Sequence, residues 1–360
     1  MRKLTYGSVC SGIEAVSVAW SSLNLKPIWF SEIEPFPCAV LAHHYPSVPN
    51  YGDMTTLPER ILSGEIEAPD ILVGGTPCQA FSVAGLRNGL NDERGNLTLV
   101  FVRILNAINT IRRRRRLSDA VVLWENVPGV LSTRDNAFGC FLAALLGESK
   151  ELVPTGGRWT GAGIVRSEQY EIAWRILDAQ YFGVPQRHRR VFLVAGNRDR
   201  RVAQILFEQP GESGNPKQGG KEGKESPAFI ESSFGTYRKS DVGGTAKRTG
   251  GALSGGSETL IVNIGATLST GFGGRGVDSD QICNGNCVIN FPRVRKLTPV
   301  ECERLQGFPD NYTRIAWRNK PADQCPDTPR YMAIGNSMAV PVIRWLGTRI
   351  ILRDKQKDIS

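Results

Sequence analysis

Short apolar runs alternate with helix-length stretches through the first third of the chain, and this alternation constrains the fold more than any other feature. Residues 5–9, 27–31 and 71–73 read as buried strands. Helices are predicted over 16–23, 35–44 and 97–111, and residues 120–124 read as another buried strand. Strand–helix repetition of this kind builds a parallel sheet covered by helices, an α/β fold. With 360 residues there is room for one large α/β domain and a smaller one.

The strand ends carry the chemistry-bearing residues. The first strand runs into Cys10-Ser11-Gly12-Ile13-Glu14, a turn before a helix N-terminus that can face a cofactor. It holds one glycine where dinucleotide-binding turns want three, which disfavours NAD. Glu32 follows at about 20 positions, a spacing suited to ribose hydroxyls, with Glu34 as the alternative. Asp53 is a third acid at a strand end. Residues 71–73 stop at Gly74-Gly75, and Pro77 then fixes the backbone and presents Cys78. A cysteine there suits a nucleophile, although a lone thiol is more often a small packing residue. Glu125, at the end of the next strand, suits acid–base work beside it or a helix cap. In Arg187-His188-Arg189-Arg190, entering a strand at 191–195, alternation puts His188 and Arg190 on one face and Arg187 and Arg189 on the other.

The net charge of +9 favours a polyanionic partner. Much of the surplus sits in Arg112–Arg116, which is either a helix terminus matched to its dipole or a phosphate contact. No apolar run approaches the ~20 residues of a membrane span, and the N-terminus lacks a signal-peptide core. The eight cysteines include no CxxC pair, so a cytoplasmic protein with reduced thiols and no metal site is expected. Residues 167–180 read as an amphipathic helix. Composition changes over 209–285, which holds 18 of the 39 glycines. Residues 211–227 suit a linker, and 259–264 and 287–291 suit strands of a β-rich module. Thr298, Pro299 and Glu301 predict a capped helix stopped at Gly307, residues 319–330 a polar loop, and a final apolar helix follows Gly335-Asn336-Ser337.

Taken in order, Ser11-Gly12-Ile13, Glu32, Gly52-Asp53, Pro77-Cys78-Gln79, Arg94-Gly95-Asn96-Leu97, Glu125-Asn126-Val127, Pro185-Gln186 through Arg190, Leu297-Thr298 through Pro309 and Gly335-Asn336-Ser337 resemble the DNA (cytosine-5)-methyltransferases. The resemblance covers the chain outside 200–292. It implies a Rossmann-like methyltransferase domain dependent on S-adenosylmethionine, formed by 1–199 and 326–360. A smaller β-rich target-recognition domain would occupy 200–292, and 293–325 would link the two. It further implies Cys78 as nucleophile on cytosine C6, Glu125 as the proton donor to N3 and Arg190 at O2. S-adenosylmethionine would be held by Cys10, Ser11, Gly12, Ile13, Glu32, Ile33, Asp53, Met54, Pro77, Leu97, Asn336 and Ser337. Double-stranded DNA would meet Gln79, Ser82, Arg94 and His188.

Three departures stand out: Cys10 and Glu14 in the first turn, and His188 at the first arginine of the family's Gln-x-Arg-x-Arg pattern. A monomer is expected, and the sequence leaves open both a cognate restriction endonuclease as partner and an enzyme that acts alone. Methylation of structured RNA and catalytically silent DNA binding are the alternative readings.

Overall fold

The computed structural model describes residues 2–77, 97–207, 228–233, 236–240, 259–263, 286–290 and 293–357. The chain forms two compact units. The first comprises Met1–Leu177, Arg189–Gly214 and Ile343–Ser360, and the second Asp178–His188 and Asn215–Val342.

In the first unit the chain runs β1 (Leu4–Val9), α1 (Ala15–Trp20), β2 (Leu25–Ser31), α2 (Pro35–His44), α3 (Leu57–Leu62), β3 (Ile71–Gly74), α4 (Leu97–Arg114), β4 (Val121–Asn126) and α5 (Ala137–Leu146). It continues through β5 (Ala162–Arg166), β6 (Tyr170–Asp178, its last residue in the second unit), β7 (Arg189–Asn197) and α6 (Ala203–Leu206). The strands form one seven-stranded sheet in the order β2-β1-β3-β4-β7-β6-β5. β2, β1, β3 and β4 are parallel, as the βα alternation requires, and β7 runs antiparallel to β4. The α/β expectation holds.

Residues 167–180 depart from expectation: Tyr170–Asp178 is a strand inside the sheet, not a helix. Ile172, Ala173 and Trp174 are all buried, so both faces are covered and the period-two signal of a strand is lost. Apolar residues at 170, 173, 174 and 177 then imitate a helical stripe.

The core lies between the sheet and the inner faces of α4 and α5. Phe101, Ile104, Leu105 and Ile108 meet Trp124, Phe138, Phe141 and Trp174 there, with the Trp124 and Phe141 ring centroids 4.6 Å apart. The helix α9 (Val340–Lys357) brings Ile343, Leu346 and Ile350 into the first unit, all buried. The Trp20 indole N–H donates to the Ile343 carbonyl at 2.8 Å. A side chain at Gly347 would lie about 2.2 Å from that indole nitrogen, so only glycine admits this approach.

At the N-terminal ends of the parallel strands, Asp70 is fully buried. It accepts from the Thr5 amide (2.9 Å), Arg2 (2.6 Å) and Arg112 (2.9 Å). Burial opposes its ionisation, but the Thr5 amide and the two guanidiniums outweigh this and hold the carboxyl below its ordinary value. Arg112 also donates to the Ser118 and Pro69 carbonyls, and Arg113 grips Asp119 with two hydrogen bonds (2.8 and 2.5 Å). The first two members of the arginine run are therefore structural.

The second unit contains β8 (Ala228–Ser233), β9 (Thr236–Ser240), β10 (Thr259–Asn263), β11 (Asn286–Asn290) and β12 (Arg293–Lys296) in a five-stranded sheet ordered β12-β11-β10-β8-β9. Two of the expected strands, near 259 and 287, are present. Next come α7 (Pro299–Gln306) and α8 (Asp327–Gly335). The α7 capping box forms as predicted: the Glu301 amide donates to Thr298 Oγ1, and Glu301 accepts from the Thr298 amide. Gly307, at φ +82°, ends the helix in the left-handed region. The expected loop at 319–330 is shorter, because α8 begins at Asp327.

Candidate active site

Register places the candidate residues of the first unit in one row. Ser31 pairs with Val9, Val9 with Gly74, and Gly74 with Trp124. The next residue on each strand is Glu32, Cys10, Gly75 or Glu125, so these four stand side by side along the C-terminal edge of the parallel sheet. In open α/β sheets this edge is where ligands are held.

Glu125 pairs with Phe192 across the β4–β7 ladder. Arg190, two residues away on β7, lies on the same face at the diagonal position, within reach of a long side chain. Arg190 Nε meets Glu125 Oε1 at 2.9 Å, and both side chains are mostly buried. Burial pushes the Glu125 carboxyl above its ordinary value, and Arg190 only partly counters this. Glu125 can thus keep a proton that an exposed glutamate would lose.

The turn beside Glu125 is anchored by buried groups. Thr76 Oγ1 pairs with Thr98 Oγ1 (2.9 Å) and accepts the Trp124 indole N–H (3.0 Å). Asn126 donates to the Thr76 carbonyl (2.9 Å), and its own amide oxygen accepts from the Val127 N–H (2.8 Å). This web ties β4 and α4 to the peptide that leads through exposed Pro77 to position 78. Cys78, Gln79, Ser82 and Arg94 lie outside the described residues. Sequence reasoning missed the anchoring roles of Thr76, Thr98 and Asn126. Their signal was weak, small polar residues embedded in apolar elements.

The other end of the row can hold a nucleoside. Glu32 Oε2 accepts from the Gly12 amide (2.7 Å), and Oε1 from the Ile33 and Glu34 amides (2.9 and 2.8 Å). A carboxylate has about four acceptor positions, so about one is left for a hydroxyl. Asn50 fixes Glu32 from below, accepting its N–H (2.9 Å) and donating to its carbonyl (3.1 Å). Ile33 is 67% exposed, an apolar plate beside this carboxylate. Gly12 (φ +55°) has open space where a Cβ would stand. Cys10 lies against Met54, with the sulfurs 3.7 Å apart, and Asp53 is exposed and caps a short turn through the Thr55 amide. Ile13 and Met54 are buried, and Leu97 and Ser11 are half-buried. An open glycine, an oriented carboxylate and an exposed aliphatic face together fit an adenosyl group.

Glu14, expected to alter this turn, is fully buried in left-handed conformation (φ 60°) and caps α1 through the Ser17 amide (3.0 Å) and hydroxyl (2.6 Å). Burial pushes its carboxyl up. Burial also pushes three thiols far above the ordinary cysteine value: Cys10 and Cys302 to about 12 and Cys140 to about 11. None of these three is a ready thiolate.

In the second unit, Gln186 and His188 are buried and Arg187 is exposed, as alternation predicts. His188 is 2% exposed. Its amide donates to Asp178 (2.9 Å), and its Nδ1 lies 3.3 Å from the Gln306 side-chain nitrogen. Gln306 also donates to the Ile334 and Ser337 carbonyls (3.2 and 3.4 Å), so His188, α7 and the Asn336-Ser337 turn after α8 form one buried cluster. Glu303, also fully buried, accepts from Asn311, Thr313 and Arg330 and braces the following loop.

A model of the C-5 cytosine-specific DNA methylase family matches residues 4–147 and 163–352. The chain is similar to a DNA N-6-adenine-methyltransferase of Escherichia phage P1, 41% identical over 97% of this chain but 61% of that longer protein. It is also similar to the type II methyltransferase M.HpaII of Haemophilus parainfluenzae, 27% identical over 97% of this chain and 89% of the relative. Among solved structures it resembles the Entamoeba histolytica methyltransferase EhMeth (TM-score 0.58, 16% identity, 99% of both chains). The S. pombe Dnmt2 methyltransferase is similar to a like degree (TM-score 0.55, 16% identity, 98% of this chain and 99% of that one). At such identities these likenesses bear on the fold, which is that of the Rossmann-like methyltransferases.

Proposed function

The chain belongs to the C-5 cytosine-specific DNA methylase family, and from that premise we propose that it transfers a methyl group from S-adenosylmethionine to C5 of a cytosine in double-stranded DNA, at a specific sequence. One observation carries this reading: the strand register brings the turn that leads to Cys78 beside a mostly buried Glu125–Arg190 pair.

The residues divide the work. The Cys78 thiolate adds to C6 while Glu125, whose carboxyl burial inclines to hold a proton, gives that proton to N3. Arg190 holds O2 and balances the charge that develops. The ring thereby becomes an enamine with a nucleophilic C5. S-adenosylmethionine, when bound, supplies a methyl group on a sulfonium. Glu32 would take its ribose hydroxyls, and Ile33 and Met54 would face its adenine. Once C5 carries the methyl group and the donor is left as a neutral thioether, a base takes the C5 proton, the Cys78 thiolate leaves, and N3 returns its proton to Glu125, which restores both the ring and the acid. A stacked base cannot reach this edge, so the target must be flipped from the duplex. The strands of the second unit would read the groove.

A second reading, methylation of adenine N6, is favoured by the name of the phage P1 relative. That protein extends well beyond the matched region, since this chain spans 61% of its length. An exocyclic amine has its own lone pair, so this reading leaves Cys78 without a task.

A DNA duplex carrying 5-fluorocytosine tests the proposal. With cofactor present it should trap the protein in a denaturant-stable adduct, because fluorine cannot leave as a proton does. An identical adduct from Cys78→Ala would show the nucleophile to be another residue. Mass spectrometry of nucleosides from treated DNA and RNA should find 5-methylcytosine in DNA; N6-methyladenine alone would overturn the reading.

A further inference from the structure

Two arginine clusters far apart in the sequence emerge at one end of the first unit, the end away from the candidate active site. α4 closes at Arg114, where Arg113 is held by Asp119 just before β4. β7 runs antiparallel to β4, with Ala195 opposite Val122, so Arg198 and Arg201 leave the sheet at this same end. Leu4 pairs with Leu25 at the start of β1 and β2, which adds Lys3 and Lys26. All eight of these side chains, Arg115 and Arg116 included, are exposed. The exposed acids of the same strand-end segments are Glu65, which is paired with Arg60, and Glu67, Glu168 and Asp199. Asp70 and Asp119 are buried and already engaged by Arg2, Arg112 and Arg113.

Arg112 and Arg113 suffice to brace the terminus of α4. Arg114, Arg115 and Arg116 make no ion pair among the described residues. Three exposed guanidiniums in succession concentrate positive charge at this terminus, a field that draws a polyanion. Five residues of extended chain separate Asp70 from Gly75, so this end stands about 16 Å below the row that carries Glu125. A duplex held at that row is therefore not the anion in question.

We propose that this end is a second DNA-binding surface, which grips the phosphate backbone of a duplex segment other than the one being methylated. It rests on the reading that the protein works on DNA, where neighbouring segments are always at hand. Guanidinium forks match phosphate oxygens, and the contact carries no sequence information. Holding a second segment raises its effective concentration and lets the enzyme pass from one stretch to another without release.

The test compares the wild-type protein with R114Q/R115Q/R116Q, unchanged melting temperature confirming an intact fold. Titration with a short fluorescent duplex should show two duplexes per wild-type chain and one per variant chain. The slope of log affinity against log salt should fall by about 2–3 if three phosphate contacts are lost. With genomic DNA as substrate, kcat should hold and KM rise. An unchanged stoichiometry and slope would overturn the proposal. So would a fall in kcat that tracks the binding loss, since the run would then serve the active edge. Tighter binding of polyglutamate or single-stranded RNA than of duplex at this end would overturn the choice of DNA. If wild type binds two duplexes but methylates neither base, the proposed function fails and this surface stands.

Discussion

Glu125 shows how far one residue's environment can be carried into chemistry. Its carboxyl is raised by burial in the folded chain and ordinary in the unfolded one. Folding therefore favours the protonated form, and the associated stability is lost as pH rises through the raised value. Glu125→Gln removes that dependence. The stability of the variant relative to wild type should increase as pH climbs from below the ordinary glutamate range, as read by thermal melting across pH. Methyl transfer by the variant should fall about 10²–10⁴-fold, the usual loss for a general acid. A variant that kept full rate would remove Glu125 from the chemistry. This residue was legible in the sequence because it ends an apolar run. Its ion pair with Arg190 was not, since β7 and β4 are joined only by the fold.

At the scale of elements, local signals read well and long-range ones poorly. The α7 capping box was plain, because Thr298, Pro299 and Glu301 satisfy one another within a single turn. β6 was misread, because its neighbours in the sheet decide its state and they come from elsewhere in the chain. The anchoring of the Cys78 turn was invisible for the same reason: Thr76 meets Thr98 and Trp124 only after three elements assemble. Thr76→Val keeps the shape and removes the hydroxyl, leaving the Trp124 indole N–H without its acceptor. It should cost about 1–3 kcal/mol in urea unfolding. It should also slow single-turnover methyl transfer more than it weakens DNA binding, because in the proposed mechanism this turn leads to the nucleophile. Thr76→Ser should restore both. Equal losses in rate and binding would mean that the turn does not position the thiol.

For the molecule as a whole, the α/β architecture followed from the βα alternation, whereas the joining of the C-terminal stretch to the N-terminal domain was expected only through the family resemblance. Ile343, Leu346 and Ile350 are buried there, each worth about 1.5–3 kcal/mol and together about 5–9 kcal/mol. Arg349 adds hydrogen bonds to the carbonyls of Gln204, Ile205 and Phe207. Against a total stability of about 5–15 kcal/mol, this loss is decisive. A chain ending at Val342 should lack a cooperative melt and near-ultraviolet circular dichroism. Adding residues 343–360 as a separate peptide should restore part of the signal. A truncated chain that melts like the full one would refute the dependence.

The level row of strand ends has an evolutionary corollary. Side chains alternate along a strand, so one residue inserted within β4 would swing the acid to the reverse side of the sheet, away from Arg190. Connections that leave and rejoin the row obey no such parity and can grow or shrink by any number. Insertions and deletions are thus tolerated in the connections and excluded from β3 and β4 themselves.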